Sequence, residues 1–211
     1  MYWNTVSPIL KSVLIDLMND DLFAPFRLVG GTALSLQIGH RLSVDIDLFT
    51  SADYGSIDFN EIKDFLEYKY DYCSYRNLDF IAMGTSFKVG KSFQESVKID
   101  LYYTDEFIFD ELCQENIRMA TSEEIIAMKL EVINNNGRKK DFWDLHYFLD
   151  KYSIDEMISF YEKRYPYNES TTIKQQLINF VVADKDFDPV CLWNKNWEII
   201  KYDFIEQIST K

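Results

Sequence analysis

A chain of 211 residues with 47% hydrophobic and 16% aromatic content is long enough for one globular core, or for one core with a helical extension. Its formal net charge of −13, from 35 acidic against 22 basic side chains, argues against a general affinity for nucleic-acid backbone, which needs many phosphate-neutralising lysines and arginines. No apolar run approaches the ~18 residues of a membrane span. The first residues lack a basic start and are interrupted by Lys11 and Asp16, so they are not read as a signal peptide, and Cys73, Cys113 and Cys191 read as free thiols of a reducing cytoplasm.

In chain order, residues 6–19 place Ile9, Leu10, Val13, Leu14 and Leu17 on one stripe, which predicts an amphipathic helix. "FRLVG" predicts a short buried strand ending at the pair Gly30-Gly31, and Thr32 to Gly39 a two-turn helix. "SVDIDLFT", Ser43 to Thr50, alternates Val44, Ile46 and Leu48 with Asp45 and Asp47, the pattern of a strand whose faces meet different surroundings. "DFNEIKDFLEYK" predicts a helix, and "DYCSYRNLDFIAM", "TSFKVGK" and "ESVKIDLYY" predict three strands with turns near Gly84 and Gly90. Beyond them the pattern is helical. "TSEEIIAMKLEVINN" opens on a capping box, "KKDFWDLHYFLDKY" and "SIDEMISFYEKRY" follow, and "STTIKQQLINFVVAD" and "NWEIIKYDFIEQI" predict at least two more helices. The fold class expected is therefore α/β (α+β), with a mixed α/β core over 1–115 and a helical region over 116–211. The aromatic side chains of the tail are expected in its core.

The chemistry concentrates at three carboxylates. Alternate residues of a strand share a face, so Asp45 and Asp47 stand about 7 Å apart on one side. Two such charges need a positive partner, and all-oxygen ligation favours Mg2+ or Mn2+. "VKIDLYY" adds Asp100 within an apolar run, where an unpaired charge is costly. The expected metal ligands are thus Asp45, Asp47 and Asp100. Gly30, Gly31 and Thr32, at a strand end and a helix start, form a candidate phosphate cradle. Together these parts suit nucleotidyl transfer with two metal ions.

The stretch "GGTALSLQIGHRLSVDIDLF" and the downstream "EEIIAMKLEVINNNGRKKDFWDLHYFL" closely resemble the motif blocks of the AbiEii/AbiGii-type toxin nucleotidyltransferases, which belong to the DNA polymerase beta-like nucleotidyltransferase superfamily. The resemblance spans residues ~25–150. It implies a polymerase-beta-like core and essential roles for Ser43, Asp45, Lys129 and Asp141, with Asp144 close by; Asp47 is placed with them as catalytic. It also implies an NTP substrate, a cognate antitoxin, membership of a type IV toxin–antitoxin or phage-defence pair, and, as in related toxins, the acceptor end of tRNA as target. Lys129 with Lys140 or Arg138 would neutralise the triphosphate of the NTP. Arg41 and His40 would contact phosphate or pair with a carboxylate, and a role for His40 in closing its helix is an equal alternative. The rivals are a transferase acting on a protein or small molecule, and a catalytically silent module that keeps the fold.

Overall fold

The computed structural model describes residues 1–75 and 83–209. Among the described residues seven strands form one mixed sheet in the order β3-β4-β5-β2-β1-β7-β6. The strands are β1 (Arg27–Leu28), β2 (Asp45–Thr50), β3 (Tyr72–Tyr75), β4 (Gly84–Gly90), β5 (Ser96–Tyr103), β6 (Leu112–Gln114) and β7 (Ile117–Met119). The second half of the strand expected over 71–83 lies outside the described residues. The β6–β7 hairpin carries the sheet to Met119, past the division expected at 115.

Period-two sequence becomes two-faced strand where it matters most. In β2, Ile46, Leu48 and Thr50 are buried while Asp45, Asp47 and Phe49 are half-exposed on the other face. β5 lies parallel to β2, with Asp45 opposite Lys98 and Asp47 opposite Asp100. Its Val97, Ile99 and Leu101 join the buried face. One side of the sheet's centre is therefore hydrocarbon and the other carries three aspartates and a lysine.

Helix α1 (Pro8–Met18) starts where Ser7 accepts a hydrogen bond from the Leu10 amide and Pro8 fixes the first turn. It covers the apolar face near β5 and β7. Helix α2 runs from Gly30 to Ile38, starting two residues before the expected Thr32, and ends at Gly39, whose φ of 75° is the left-handed cap that glycine adopts without strain. It is buried on every side, because it is flanked by β2, α4 and α5. Helix α3 (Phe59–Lys69) is capped by Asp58 and buries Phe59, Ile62 and Leu66.

The helical region consists of α4 (Ser122–Asn134), α5 (Lys139–His146), α6 (Ile154–Arg164), the short α7 (Ile173–Gln176) and α8 (Trp197–Ser209). Thr121 caps α4 by accepting from the Glu124 amide. The Glu124 side chain does not return to Thr121: it accepts from the Ile108 and Phe109 amides and pairs with Arg164, so only half of the expected capping box forms. The helix expected over 170–184 shrinks to α7 and a 3-10 turn at Ala183–Lys185. Ile173, Leu177, Phe180 and Ala183 keep helical spacing and are buried, but the backbone between them closes in i→i−3 turns at Ile178 and Asn179. The β-branched Val181 and Val182 that follow weaken a helix at this point. Phe180, Trp197 and Phe204 all pack on Phe142, and Tyr161 is fully buried, so these tail aromatics are core as expected. Tyr165 is half-buried, and Trp193 is 42% exposed because it lies over Tyr147 and the edge of His40 at the surface, so the expectation fails for Trp193.

Candidate active site

Two elements of opposite charge meet at the start of α2. The acidic one is the outward face of β2 and β5. Asp47 is pushed above the ordinary carboxylate range, first by burial and then by repulsion from Asp100 and Asp45. Asp100 is engaged on both oxygens, with Ser86 Oγ donating to Oδ1 at 2.5 Å and Lys98 Nζ to Oδ2 at 2.5 Å. Among the described residues no three His, Cys, Asp or Glu side chains are already gathered as a ligand set. The expected trio is thus adjacent in register but not gathered, and Ser86 and Lys98 hold the third carboxylate.

The basic element comes from α4 and α5. Lys129 is 6% exposed, and its ammonium is bound by Asp141 at 2.7 Å and Asp144 at 2.7 Å. Burial alone would push Lys129 down, but the two carboxylates outweigh it and hold the lysine charged. One of its three N–H donors remains beyond these two bonds. Asp141 serves twice: its other oxygen accepts from the Arg138 amide at 3.0 Å and so closes the first turn of α5. Lys140 stands apart from this pairing. Burial and the nearby charges of Arg138, Lys129 and Arg41 depress its pKa. The Arg138 side chain is more than half exposed.

These shifts have a common meaning. Asp47 is pushed up and Lys140 pushed down first by burial and then by neighbours of like charge, so each sits in a site already crowded with its own sign. Lys129 and Lys140 lie near enough to Asp47 to draw its pKa back down in part. A divalent cation on the acidic face and a polyphosphate against the basic one would satisfy both, and the all-oxygen donors at Asp45, Asp47 and Asp100 suit Mg2+ or Mn2+.

Asp144 is the residue whose importance the sequence understates. Fully buried, it takes His40 Nε2 at 2.7 Å, Arg41 Nε at 2.6 Å, Arg41 Nη2 at 2.9 Å and Lys129 Nζ at 2.7 Å. That company holds its carboxyl well below the usual range despite burial, chiefly through Lys129 and Arg41. Burial lowers the pKa of His40, so its Nε2–H donates to Asp144 from a neutral ring. The i, i+3 spacing of Asp141 and Asp144 was the available signal; their shared lysine was not visible.

Of the two roles open to Arg41, phosphate contact or pairing with a carboxylate, the structure has the second: it is 4% exposed and committed to Asp144 and to the Leu42 carbonyl at 2.9 Å. The glycine pair was expected to leave room for phosphate. At Gly31 a Cβ would collide with the Arg41 guanidinium, and at Gly30, with φ of 67°, it would lie 2.8 Å from Asp47 Oδ2. The glycines therefore admit the protein's own arginine and aspartate against the helix start. Val29 supplies no side-chain cap to α2, so the first-turn amides of that helix keep donors for an anion. Thr32 and Ser43 bridge their hydroxyls at 2.8 Å, and Thr32 also donates to the Asp45 carbonyl, locking the helix to the first residue of β2.

Comparison with known proteins places the chain in a family. Residues 12–190 match the family described as nucleotidyl transferase AbiEii toxin, type IV toxin–antitoxin system. The chain belongs to that family. It is a nucleotidyltransferase by family. A curated relative, the uncharacterised protein aq_aa25 of Aquifex aeolicus, is 29% identical over 181 residues, covering 83% of this chain and 81% of its own. Two solved structures share the fold at low identity. JHP933 from Helicobacter pylori aligns with a TM-score of 0.56 at 18% identity, over 94% of this chain and 89% of its own. MenT4, a nucleotidyltransferase toxin of Mycobacterium tuberculosis, aligns with a TM-score of 0.55 at 13% identity, over 96% of this chain and 84% of its own. Among the described residues no helix is long and apolar enough to cross a membrane.

Proposed function

We propose that this AbiEii-family chain transfers a nucleoside monophosphate from an NTP to an acceptor hydroxyl at the junction of β2, β5, α4 and α5. The observation that carries the reading is geometric: Asp45, Asp47 and Asp100 share one face of β2 and β5, and Lys129, held between Asp141 and Asp144, stands near enough to act on Asp47. Asp45 and Asp47, joined by Asp100 once Lys98 releases it, would hold Mg2+ or Mn2+, which supplies charge neutralisation and a template for the triphosphate. Lys129, fixed by two carboxylates, keeps one donor for a phosphate oxygen and stabilises charge as pyrophosphate departs. Lys140 and Arg138 are the mobile cations for the outer phosphates. Asp141 and Asp144 position Lys129, and Asp144 also positions Arg41 and His40. The acceptor hydroxyl gives up its proton to solvent as its oxygen bonds to the α-phosphorus, the bond from that phosphorus to the bridging oxygen breaks, and pyrophosphate leaves with the electron pair.

The acceptor proposed is tRNA, supported by the family resemblance, with a protein or small molecule as the competing choice. Its phosphates would meet the basic residues of this site alone, since the chain as a whole carries −13. A cognate antitoxin is the proposed partner, in keeping with the type IV description of the family. The test is incubation with each α-labelled NTP, Mg2+ and total tRNA. Label on the RNA with one pyrophosphate released per label supports the proposal. Pyrophosphate release with unlabelled RNA and labelled protein redirects the acceptor, and no release with any NTP or acceptor refutes it.

A further inference from the structure

Lys98 has no part in the family motifs, yet it touches the centre of the site. The parallel register sets it opposite Asp45 and sets Asp100 opposite Asp47, with Lys98 and Asp100 on the same face of β5. Its Nζ lies 2.5 Å from Asp100 Oδ2. Ser86 holds the other oxygen, so the oxygen under Lys98 is the one a metal ion would have to take. Two cations cannot share that oxygen at bonding distance without strong repulsion. Lys98 differs from Lys129 in being free to leave, for its side chain is 49% exposed and makes one ion pair, where Lys129 is buried between two carboxylates. A flexible four-carbon stem and a well-hydrated ammonium suit such movement.

We infer that Lys98 competes with the divalent cation for Asp100 and, once displaced, binds the phosphates of the incoming nucleotide, so that one side chain couples the two binding events. This inference rests on the metal reading of Asp45, Asp47 and Asp100 given above. Coupling of this kind is reciprocal: metal binding frees Lys98 for the anion, and the anion draws Lys98 off the metal's ligand. The residue also makes biochemical sense of a site that would otherwise leave three carboxylates on one face of a sheet to repel one another whenever no cation is bound.

The test uses the full chain as wild type, Lys98→Gln and Lys98→Arg, all checked for equal thermal melting. Calorimetry first titrates Mn2+ alone, then inorganic tripolyphosphate at saturating Mn2+. Lys98→Gln is expected to bind Mn2+ about two- to fivefold more tightly, the range for losing a half-exposed charge pair. It is expected to bind tripolyphosphate about two- to fivefold more weakly, while Lys98→Arg stays near wild type in both. A lysine that only supports the fold would move the two affinities in the same direction, and that result overturns the inference. So does a Lys98→Gln protein with both affinities unchanged while wild type binds Mn2+, an outcome that leaves the metal reading standing. Failure of wild type to bind Mn2+ at all overturns the metal reading, and the inference with it.

Discussion

Asp144→Asn changes one buried oxygen to an amide and should cost this protein a large part of its stability. In the native protein that carboxylate is the acceptor for four donors on three side chains, all of them buried. After the substitution Lys129 still has Asp141, but Arg41 keeps only neutral acceptors, the Leu42 carbonyl and at most one amide oxygen, and becomes a buried cation with no anion bound to it. The new amide also turns N–H groups toward the Arg41 and Lys129 donors. Breaking one partner of a buried ion network costs ~3–5 kcal/mol, against a total stability of ~5–15 kcal/mol for an ordinary domain. Equilibrium urea unfolding of wild type and variant measures the difference, with the slope unchanged if both remain two-state. The pH dependence carries the same signature. Asp144 has a native pKa well below its unfolded value near 3.8, so its contribution is complete above that value and is lost as pH falls through the lower native one. The variant should lack that segment of the acid transition. A loss below about 1 kcal/mol, or an unchanged acid limb, would refute the view that Asp144 organises the site.

Asp47 has the opposite sign: its native pKa is raised, so in EDTA its contribution to stability falls as pH rises from the unfolded value of 3.8 through the native one, and Asp47→Asn should be neutral or stabilising there while abolishing Mn2+ binding in calorimetry. Gly31→Ala should destabilise by ~1–3 kcal/mol by driving its Cβ into the Arg41 guanidinium, and an unaltered urea midpoint would contradict that packing. Lys140→Gln relieves crowding among cations, so it should leave the urea midpoint equal or higher and still weaken tripolyphosphate binding; tighter binding would remove Lys140 from the phosphate site. Lys129→Ala should lower turnover by about 10²–10³, the cost of one lost transition-state contact, and normal turnover would end its assigned role.

The acidic half of the site was legible in the sequence because strand geometry is local. Period two put Asp45 and Asp47 on one face, and the apolar flanks of Asp100 marked a second buried strand. What local pattern cannot carry is partner choice. Arg41 and Asp144 are 103 residues apart, and nothing in either segment says that the arginine turns inward to a carboxylate and away from phosphate. The glycine pair shows the same gap. Its need for space was visible, but which group fills that space depends on Arg41 and Asp47 arriving from elsewhere in the fold. The stretch after Tyr165 misleads for a different reason: the apolar spacing of Ile173, Leu177, Phe180 and Ala183 survives in tight turns, so periodicity reports the buried face without fixing the backbone.

The central claim, that the DxD face and the lysine cluster meet across one metal-bound triphosphate, is most directly tested by a crystal grown with Mn2+ and an NTP analogue that cannot be cleaved between the α- and β-phosphates. The account predicts anomalous density for manganese between Asp45 and Asp47, with Asp100 turned to it, and phosphate oxygens within hydrogen-bond reach of Lys129 and Lys140. Manganese or triphosphate seated elsewhere in the fold, with Lys98 still on Asp100, would contradict it.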